Sequence, residues 1–186
     1  MSKVSRLLMV TALVALSIAL ITAGCGKEKK NNESSEPEAF SFTFYPGARY
    51  LAQLTDLWKQ ARKISMPNED VPPMAIYDTD APIDKVAEFY AQSYGYNKVA
   101  PDATNNLSSA KPPAYYRAGD LARDVAAIVP VAQKLNVKVD VSKAVGAYRA
   151  AEIDPKPNRP RVTIQRPYFD VTTSQTVDRT LIMMTR

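Results

Sequence analysis

The sequence contains no histidine and a single cysteine, Cys25, in its 186 residues. Histidine is the commonest general base and the commonest zinc ligand, so catalysis of the Ser-His-Asp and Cys-His types is excluded. One cysteine can form neither a disulfide within the chain nor a thiolate metal cluster. Glycine is also scarce, with 6 residues against 14 prolines, which favours loops of restricted backbone angle. The folded part must therefore be stabilised by its hydrophobic core, and we expect no cofactor and no metal site.

The first 24 residues have the layout of an export signal. Lys3 and Arg6 precede the uncharged run Leu7 to Gly24, and positive residues followed by an apolar stretch are typical of a signal peptide. The run leads into Ile21-Thr22-Ala23-Gly24-Cys25, which resembles the lipobox of bacterial lipoproteins. The resemblance implies that a diacylglycerol is attached to Cys25 and that signal peptidase II cuts before it.

Two other interpretations of this segment stay open. The apolar run approaches the roughly 20 residues that span a bilayer, so the first is an uncleaved transmembrane helix. The second is ordinary secretion without a lipid. The sole cysteine directly follows Ala-Gly, which favours lipidation, and two or more acyl chains anchor a protein stably to a membrane. In a host with two membranes, Gly26 resembles the sorting signal for the outer membrane, where the protein would face the periplasm.

The chain divides into three parts. The signal peptide covers residues 1–24, the lipidated Cys25 with a flexible tether covers 25–39, and a single globular domain covers 40–186. The tether mixes lysines with glutamates and has no large apolar residue, which is typical of a flexible linker. A linker of about 14 residues keeps the domain roughly 20 Å from the lipid.

Hydrophobic periodicity predicts an α+β domain, with a mostly antiparallel sheet and two or three helices packed on one face. We expect one helix over about 48–63, a second capped by Thr79 or Asp80 with Pro82 in its first turn, and a third capped by Asp120. Pro130 should kink or split this third helix. Strands are expected at 40–44, 74–77, 114–117, 137–141 and 147–153, followed by a long hairpin of 161–171 with 176–185. Pro167 should lie at an edge or a bulge of that hairpin.

Three of these places carry a weak likeness to known domains. Tyr45-Pro46-Gly47-Ala48, the strand into Tyr77-Asp78-Thr79, and the helix with Phe89-Tyr90 resemble small exported bacterial domains that share a Tyr-Pro-Gly-Ala start and a Phe-Tyr helix. The likeness covers about a third of the chain. Those domains are mostly uncharacterised, so it implies a fold and an exported location but no activity.

Carboxylates are the main candidates for chemistry. Asp78, Asp80 and Asp84 fall within seven residues, a spacing that can begin a calcium loop, but the loop's glycine and closing glutamate are missing. Helix capping is the favoured role for these acids. Asp120 and Asp124 lie four residues apart and so share one helix face. An enzyme that worked through carboxylates or a bound cation would use Asp78, Asp80, Asp120 and Asp124.

A basic stretch near the C-terminus is the candidate binding surface. Arg159, Arg161 and Arg166 lie in a segment without acidic residues, and Tyr168 follows them. Arginine forks bind carboxylate and phosphate groups, and aromatic rings stack on planar groups, which suggests an anionic partner. Tyr115-Tyr116-Arg117 could form a second part of that surface. The alternatives are a solvated strand whose arginines pair with nearby acids, and a tyrosine pair with one ring in the core and one outside.

The leading functional hypothesis is a membrane-anchored envelope lipoprotein that acts as a non-catalytic binding or assembly module. Its partners would be the membrane, through the acyl chains on Cys25, and an envelope protein, a glycan or a lipid headgroup. Nucleic acid is not expected, because an exported protein rarely meets it. The competing hypothesis is the carboxylate- or cation-dependent enzyme described above, acting in the cell envelope.

Overall fold

The computed structural model describes residues 44–101 and 111–186. The predicted signal peptide, Cys25, the predicted tether and residues 40–43 of the first predicted strand lie outside these ranges. Within the ranges, no helix is both long enough and apolar enough to cross a bilayer.

The described ranges contain three α-helices, one short 3₁₀ helix and eight strands. In chain order they are β1 (Arg49–Tyr50), α1 (Ala52–Ser65), β2 (Met74–Thr79), α2 (Ile83–Ser93), β3 (Ala114–Asp120), α3 (Leu121–Lys134), the 3₁₀ helix (Val141–Lys143), β4 (Ala147–Ile153), β5 (Arg161–Arg166), β6 (Tyr168–Asp170), β7 (Gln175–Val177) and β8 (Thr180–Thr185).

Six strands form the main sheet, in the order β1-β2-β8-β5-β4-β3. Every neighbouring pair is antiparallel. The last strand of the chain, β8, lies in the interior of the sheet between β2 and β5. Strands β6 and β7 form a separate antiparallel pair. The predicted α+β fold with a mostly antiparallel sheet is confirmed.

Helices cover both faces of the main sheet. Along β4, Tyr148 and Ala150 pack with α3 and the second half of α1, whereas Ala151 and Ile153 belong to the core that contains α2. Because successive strand residues point to opposite faces, these two sets lie on opposite sides of the sheet. Two helices, α1 and α3, thus share one face, as predicted, and α2 covers the other. We call these the α3 face and the α2 face.

Helix α2 has the buried side that its sequence predicts, but its start differs from the prediction. Ile83, Val86 and Tyr90 are buried, and Gly95 ends the helix at a φ of +71°, a conformation that favours glycine. Neither Thr79 nor Asp80 caps the helix. Pro82 occupies the N-cap position, where no side chain accepts a hydrogen bond, and the Thr79 hydroxyl instead accepts a bond from the Ala81 amide at 3.3 Å.

Three other local predictions were wrong in part. Helix α1 begins at Ala52 rather than at 48, because the chain before it forms a turn and β1. Helix α3 runs through Pro130 without a break. Pro130 has no amide hydrogen to donate to the Ala126 carbonyl, but both residues are exposed, so water can reach that carbonyl. Residues 137–141 form no strand. Their alternating valines are half-buried beside α3, so the pattern reflects burial and not sheet pairing.

The predicted long C-terminal hairpin is present, but it is interrupted at Pro167, so that an inner strand pair is nested within an outer one. Strands β5 and β8 pair inside the main sheet, and after Pro167 the chain leaves that sheet to form β6, which pairs with β7. Pro167, which follows a cis peptide bond, marks the point where the pairing changes, as its missing amide donor predicts.

Candidate functional site

An open groove of about 520 Å³ lies at one end of the main sheet, beside the edge strand β3. We call it the basic groove, because its lining includes three arginines and no acidic residue. The lining residues are Pro101, Tyr116, Arg117, Ala118, Ala147, Tyr148, Arg149 and Arg166.

Strand register brings these residues together from three separate segments. Ala118 of β3 lies opposite Arg149 of β4, and Arg149 lies opposite Arg166 of β5. Residues directly opposite each other point to the same face, so this row of three lies on the α2 face. Tyr148 and Arg117 are one residue out of phase with that row and therefore lie on the α3 face. The groove thus wraps around the free edge of the sheet.

On the α2 face, two arginines stand side by side. The Arg149 guanidinium lies over the Tyr116 ring at 3.7 Å and donates to Asp84 Oδ1 at 2.7 Å. The Arg166 Nε donates to Asp178 Oδ1 at 2.8 Å. Like charges directly opposite in a sheet are destabilising. Asp84 and Asp178 therefore offset the repulsion between the Arg149 and Arg166 guanidinium groups. Burial, followed by the bond to Asp84, raises the pKa of Tyr116, which stays protonated at neutral pH.

On the α3 face, Arg117 is the centre of a hydrogen-bonded network. Its Nε donates to Glu152 Oε1 at 2.9 Å, and its NH1 donates to the Tyr148 hydroxyl at 2.8 Å. That hydroxyl donates in turn to Asp124, and Glu152 Oε2 accepts a bond from Thr163 at 2.8 Å. Burial is the main reason that the pKa of Tyr148 is raised, with the bond to Asp124 next. The network holds the Tyr148 ring in one position.

The fixed ring requires a glycine beneath it. A Cβ atom on Gly119 would lie 2.5 Å from Cε1 of Tyr148 and nearer still to Cζ. Contacts that short are not tolerated without movement of one group. Gly119 therefore lets the ring lie flat on β3, at the floor of the basic groove.

The four residues predicted to bind an anionic partner do not form one surface. Arg161 and Arg166 stand at opposite ends of β5, roughly 17 Å apart along the strand and on opposite faces. Arg161 pairs with Asp154 at 3.1 Å, and Arg159 lies over the Tyr94 ring at 5.1 Å near the end of α2. Tyr168 is only 3% exposed. Of these four residues, only Arg166 lines the basic groove.

The second predicted part of that surface does lie in the groove. Tyr116 and Arg117 line it together with Arg166. Tyr116 is buried and Tyr115 is half-buried, which agrees with the expectation of one inner and one outer ring.

Asp78 is the centre of a buried ion cluster. Its side chain is fully buried, and its Oδ2 lies 2.8 Å from Arg49 NH2 and 2.8 Å from Arg179 Nε. Its Oδ1 accepts a bond from Arg49 Nε at 3.0 Å, and Tyr168 donates to Oδ2 at 3.2 Å. The exposed Asp80 contacts Arg179 from the other side. Four hydrogen bonds thus engage both oxygens of Asp78, which is what a buried carboxylate needs for stability.

The other two candidate acids also have structural roles. Asp120 accepts a bond from the Arg123 amide at 2.8 Å and caps α3, as predicted. Asp124 accepts bonds from Tyr148 and from Arg123 Nε. Four strand spacings, roughly 19 Å, separate Asp78 in β2 from Asp120 in β3. The four carboxylates therefore do not form one site.

Neither a search for metal-binding groups in the described residues nor a comparison with known proteins points to a further site. In the described ranges, no three acidic, histidine or cysteine side chains are grouped so that they could hold a metal ion. A scan against protein-family models, a search of curated proteins and a search of solved structures each found no match for this chain.

Sequence reasoning missed five groove residues, which are Arg149, Tyr148, Ala118, Ala147 and Pro101. Arg149 lies in a strand whose position was predicted correctly, so the face of the strand to which its side chain points could have been derived. Its place beside Arg166 could not, because that contact depends on the register between β4 and β5.

Proposed function

We propose that this protein is an exported lipoprotein, anchored to a bacterial membrane by acyl chains on Cys25, whose domain binds an anionic group of an envelope partner in the basic groove without catalysis. The lipobox and the charged N-terminus support the anchor. The observation that carries the binding role is the convergence of three arginines, with no acid, on one open groove.

Arg149 is the side chain best suited to receive the partner. It is 47% exposed and its partner Asp84 is 53% exposed. An exposed ion pair of this kind is worth about 0 to 1 kcal/mol, so a carboxylate or phosphate of a partner can replace Asp84 at small cost. The Tyr116 ring beneath the guanidinium keeps its plane fixed, which favours bidentate binding of a planar or tetrahedral anion.

Binding has more support than the competing carboxylate enzyme. Asp78 is held by two arginines and a tyrosine, and Asp120 caps a helix. Each of the four candidate acids is thus already engaged in an interaction that stabilises the fold. The three arginines of the groove are paired with acids as well, but they border open space, and Arg149 has about half of its side chain in water.

The anchor is tested by metabolic labelling with an alkyne analogue of palmitate in a bacterial host. The native protein should carry label and sediment with membranes, and Cys25→Ser should lose the label. Mass spectrometry of the N-terminal tryptic peptide provides the control, because cleavage before Cys25 fixes its mass. An unlabelled native protein would contradict the proposal.

The groove is tested by crosslinking in intact cells. A photoreactive residue replaces Ala147, at the rim of the groove, and Arg149→Gln is compared with Arg161→Gln. Both changes remove one charge from an exposed ion pair, but only the first alters the groove. We expect one dominant crosslinked product that Arg149→Gln abolishes and Arg161→Gln preserves. Equal effects of both changes would contradict a specific site.

A further inference from the structure

The free edge of the main sheet opens into the basic groove. Among the described residues, a short segment near residue 100 covers the first part of β3, where Ala100 donates to the Ala114 carbonyl at 2.8 Å and Tyr116 donates to the Ala100 carbonyl at 2.9 Å. In a strand, the amide and carbonyl groups of every second residue point to the same side. Those of Ala118 therefore point outward like those of Tyr116.

The backbone of Ala118 is available for pairing. In the described part of the chain, neither its amide nor its carbonyl has a hydrogen-bond partner, and the residue is exposed. Its neighbour Gly119 has no side chain of its own, and the Tyr148 ring lies over it on the α3 face, which is the face opposite Ala118. Most proteins protect a free edge with a proline, a bulge or a charged side chain. Here the edge carries the smallest residues of the strand.

The charge around this edge selects the partner. A residue added opposite Ala118 puts its side chain on the α2 face, two strand spacings or roughly 10 Å from the Arg149 backbone. Ala118, whose side chain is a methyl group, lies between them in the register, and a glutamate and an arginine side chain together span that distance. Lys111, which lies over the Tyr115 ring at 5.6 Å, adds a further positive charge along β3.

We propose that an extended, acidic segment of a partner protein adds to β3 as an additional strand, pairs with the backbone of Ala118 and places carboxylates at Arg149. Strand addition supplies affinity through backbone bonds and specificity through alternate side chains. The inference rests on the proposed function, because it names the partner of the same groove.

The test uses the full-length protein in detergent micelles and fluorescent octapeptides that alternate threonine with glutamate or with lysine. Anisotropy measures their binding. The glutamate peptide should bind and the lysine peptide should not. Methylation of every second backbone nitrogen of the glutamate peptide should weaken binding about tenfold or more, since 1.4 kcal/mol is a factor of ten and lost backbone bonds contribute about that much.

Protein variants isolate the two contacts. Ala118→Pro removes the outward amide without removing a bond of the sheet, because proline is accepted where the amide faces away, and it should weaken binding about tenfold. Ala118→Thr retains the amide and should leave binding within about twofold. Arg149→Gln should weaken binding, whereas Arg161→Gln should not. If Ala118→Pro fails to fold, the methylated peptide still tests the backbone contact on the native protein.

Hydrogen exchange at the Ala118 amide gives a direct readout. The amide should exchange fast in the free protein and slowly in the complex. An amide already protected in the free protein would mean that the edge is closed, which overturns the inference.

Two binding results separate this inference from the proposed function. Binding that is unaffected by methylation would reduce the contact to charge alone, so strand addition would be wrong while the proposed function stands. The absence of peptide binding together with a lasting crosslink at the groove would overturn strand addition alone. The loss of both would overturn both proposals.

Discussion

Replacement of Gly119 by alanine tests the close contact between Gly119 and the Tyr148 ring in the basic groove. The new Cβ would lie 2.5 Å from Cε1 of the Tyr148 ring and nearer still to Cζ. Overpacking of this kind costs about 1 to 3 kcal/mol. If the ring moves aside instead, Tyr148 loses its bonds to Arg117 and Asp124, each worth roughly 1 kcal/mol.

We therefore expect Gly119→Ala to lower the free energy of unfolding by about 1 to 3 kcal/mol. Urea denaturation of a chain that begins at Gly26 measures this value. The fluorescence of Trp58, which is the sole tryptophan and is 7% exposed, reports unfolding. With a slope of about 2 kcal/mol per molar urea, the midpoint should fall by roughly 0.5 to 1.5 M.

The matched control is the same change without the ring. In a Tyr148→Ala background, Gly119→Ala meets no obstacle, and alanine is a better strand residue than glycine. Its cost should vanish or change sign there. A cost that persists undiminished without the ring would refute the assigned contact, and so would a single variant within about 0.5 kcal/mol of the native protein.

Asp78→Asn should lower the free energy of unfolding by about 3 kcal/mol in a urea titration, which is the lower end of the cost of breaking a buried ion pair. The lower end is expected because Arg49 is 65% exposed and regains contact with water. A loss under about 1 kcal/mol would mean that the ion cluster adds little stability. Burial raises the pKa of Tyr94 to about 12, whereas an unfolded tyrosine titrates near 10. The contribution of Tyr94 to stability is thus fully present below about pH 10 and is lost as the pH rises to about 12. In that window, the urea midpoint of the native protein should fall more steeply with pH than the midpoint of Tyr94→Phe. Parallel curves for the two proteins would refute this. Arg161→Gln should change the free energy of unfolding by less than about 1 kcal/mol, because its pair with Asp154 is half exposed, and a larger loss would show that this pair is not merely a surface contact.

Local periodicity predicted those elements whose burial is regular. Residues 147–153 were predicted to form a strand and form β4 over that same span. The apolar spacing of Ile83, Val86 and Tyr90 gave the buried side of α2. The valines at 137–141 show the limit of this reasoning, since a segment that packs against a helix can alternate like a strand.

Contacts between distant parts of the chain could not be predicted in this way. Asp78 was a candidate for chemistry because the sequence places it beside other acids, yet its partners Arg49 and Arg179 lie 29 and 101 residues away. The same holds for the groove, whose arginines come together only through the register of β3, β4 and β5. Which arginines share a surface is decided by strand pairing, and pairing has no local signal in this chain.

The interior position of β8 governs when the protein can fold. Residues Thr180–Thr185 fill the gap between β2 and β5, so the two halves of the sheet cannot join until the final strand has been synthesised. Before that moment, β2 and β5 both present bare edges, and pairings over such long sequence separations form slowly. Under the proposed export, we expect this delay to favour an unfolded chain during passage across the membrane. We also expect a chain cut before Thr180 to be degraded by proteases rather than to retain part of its function.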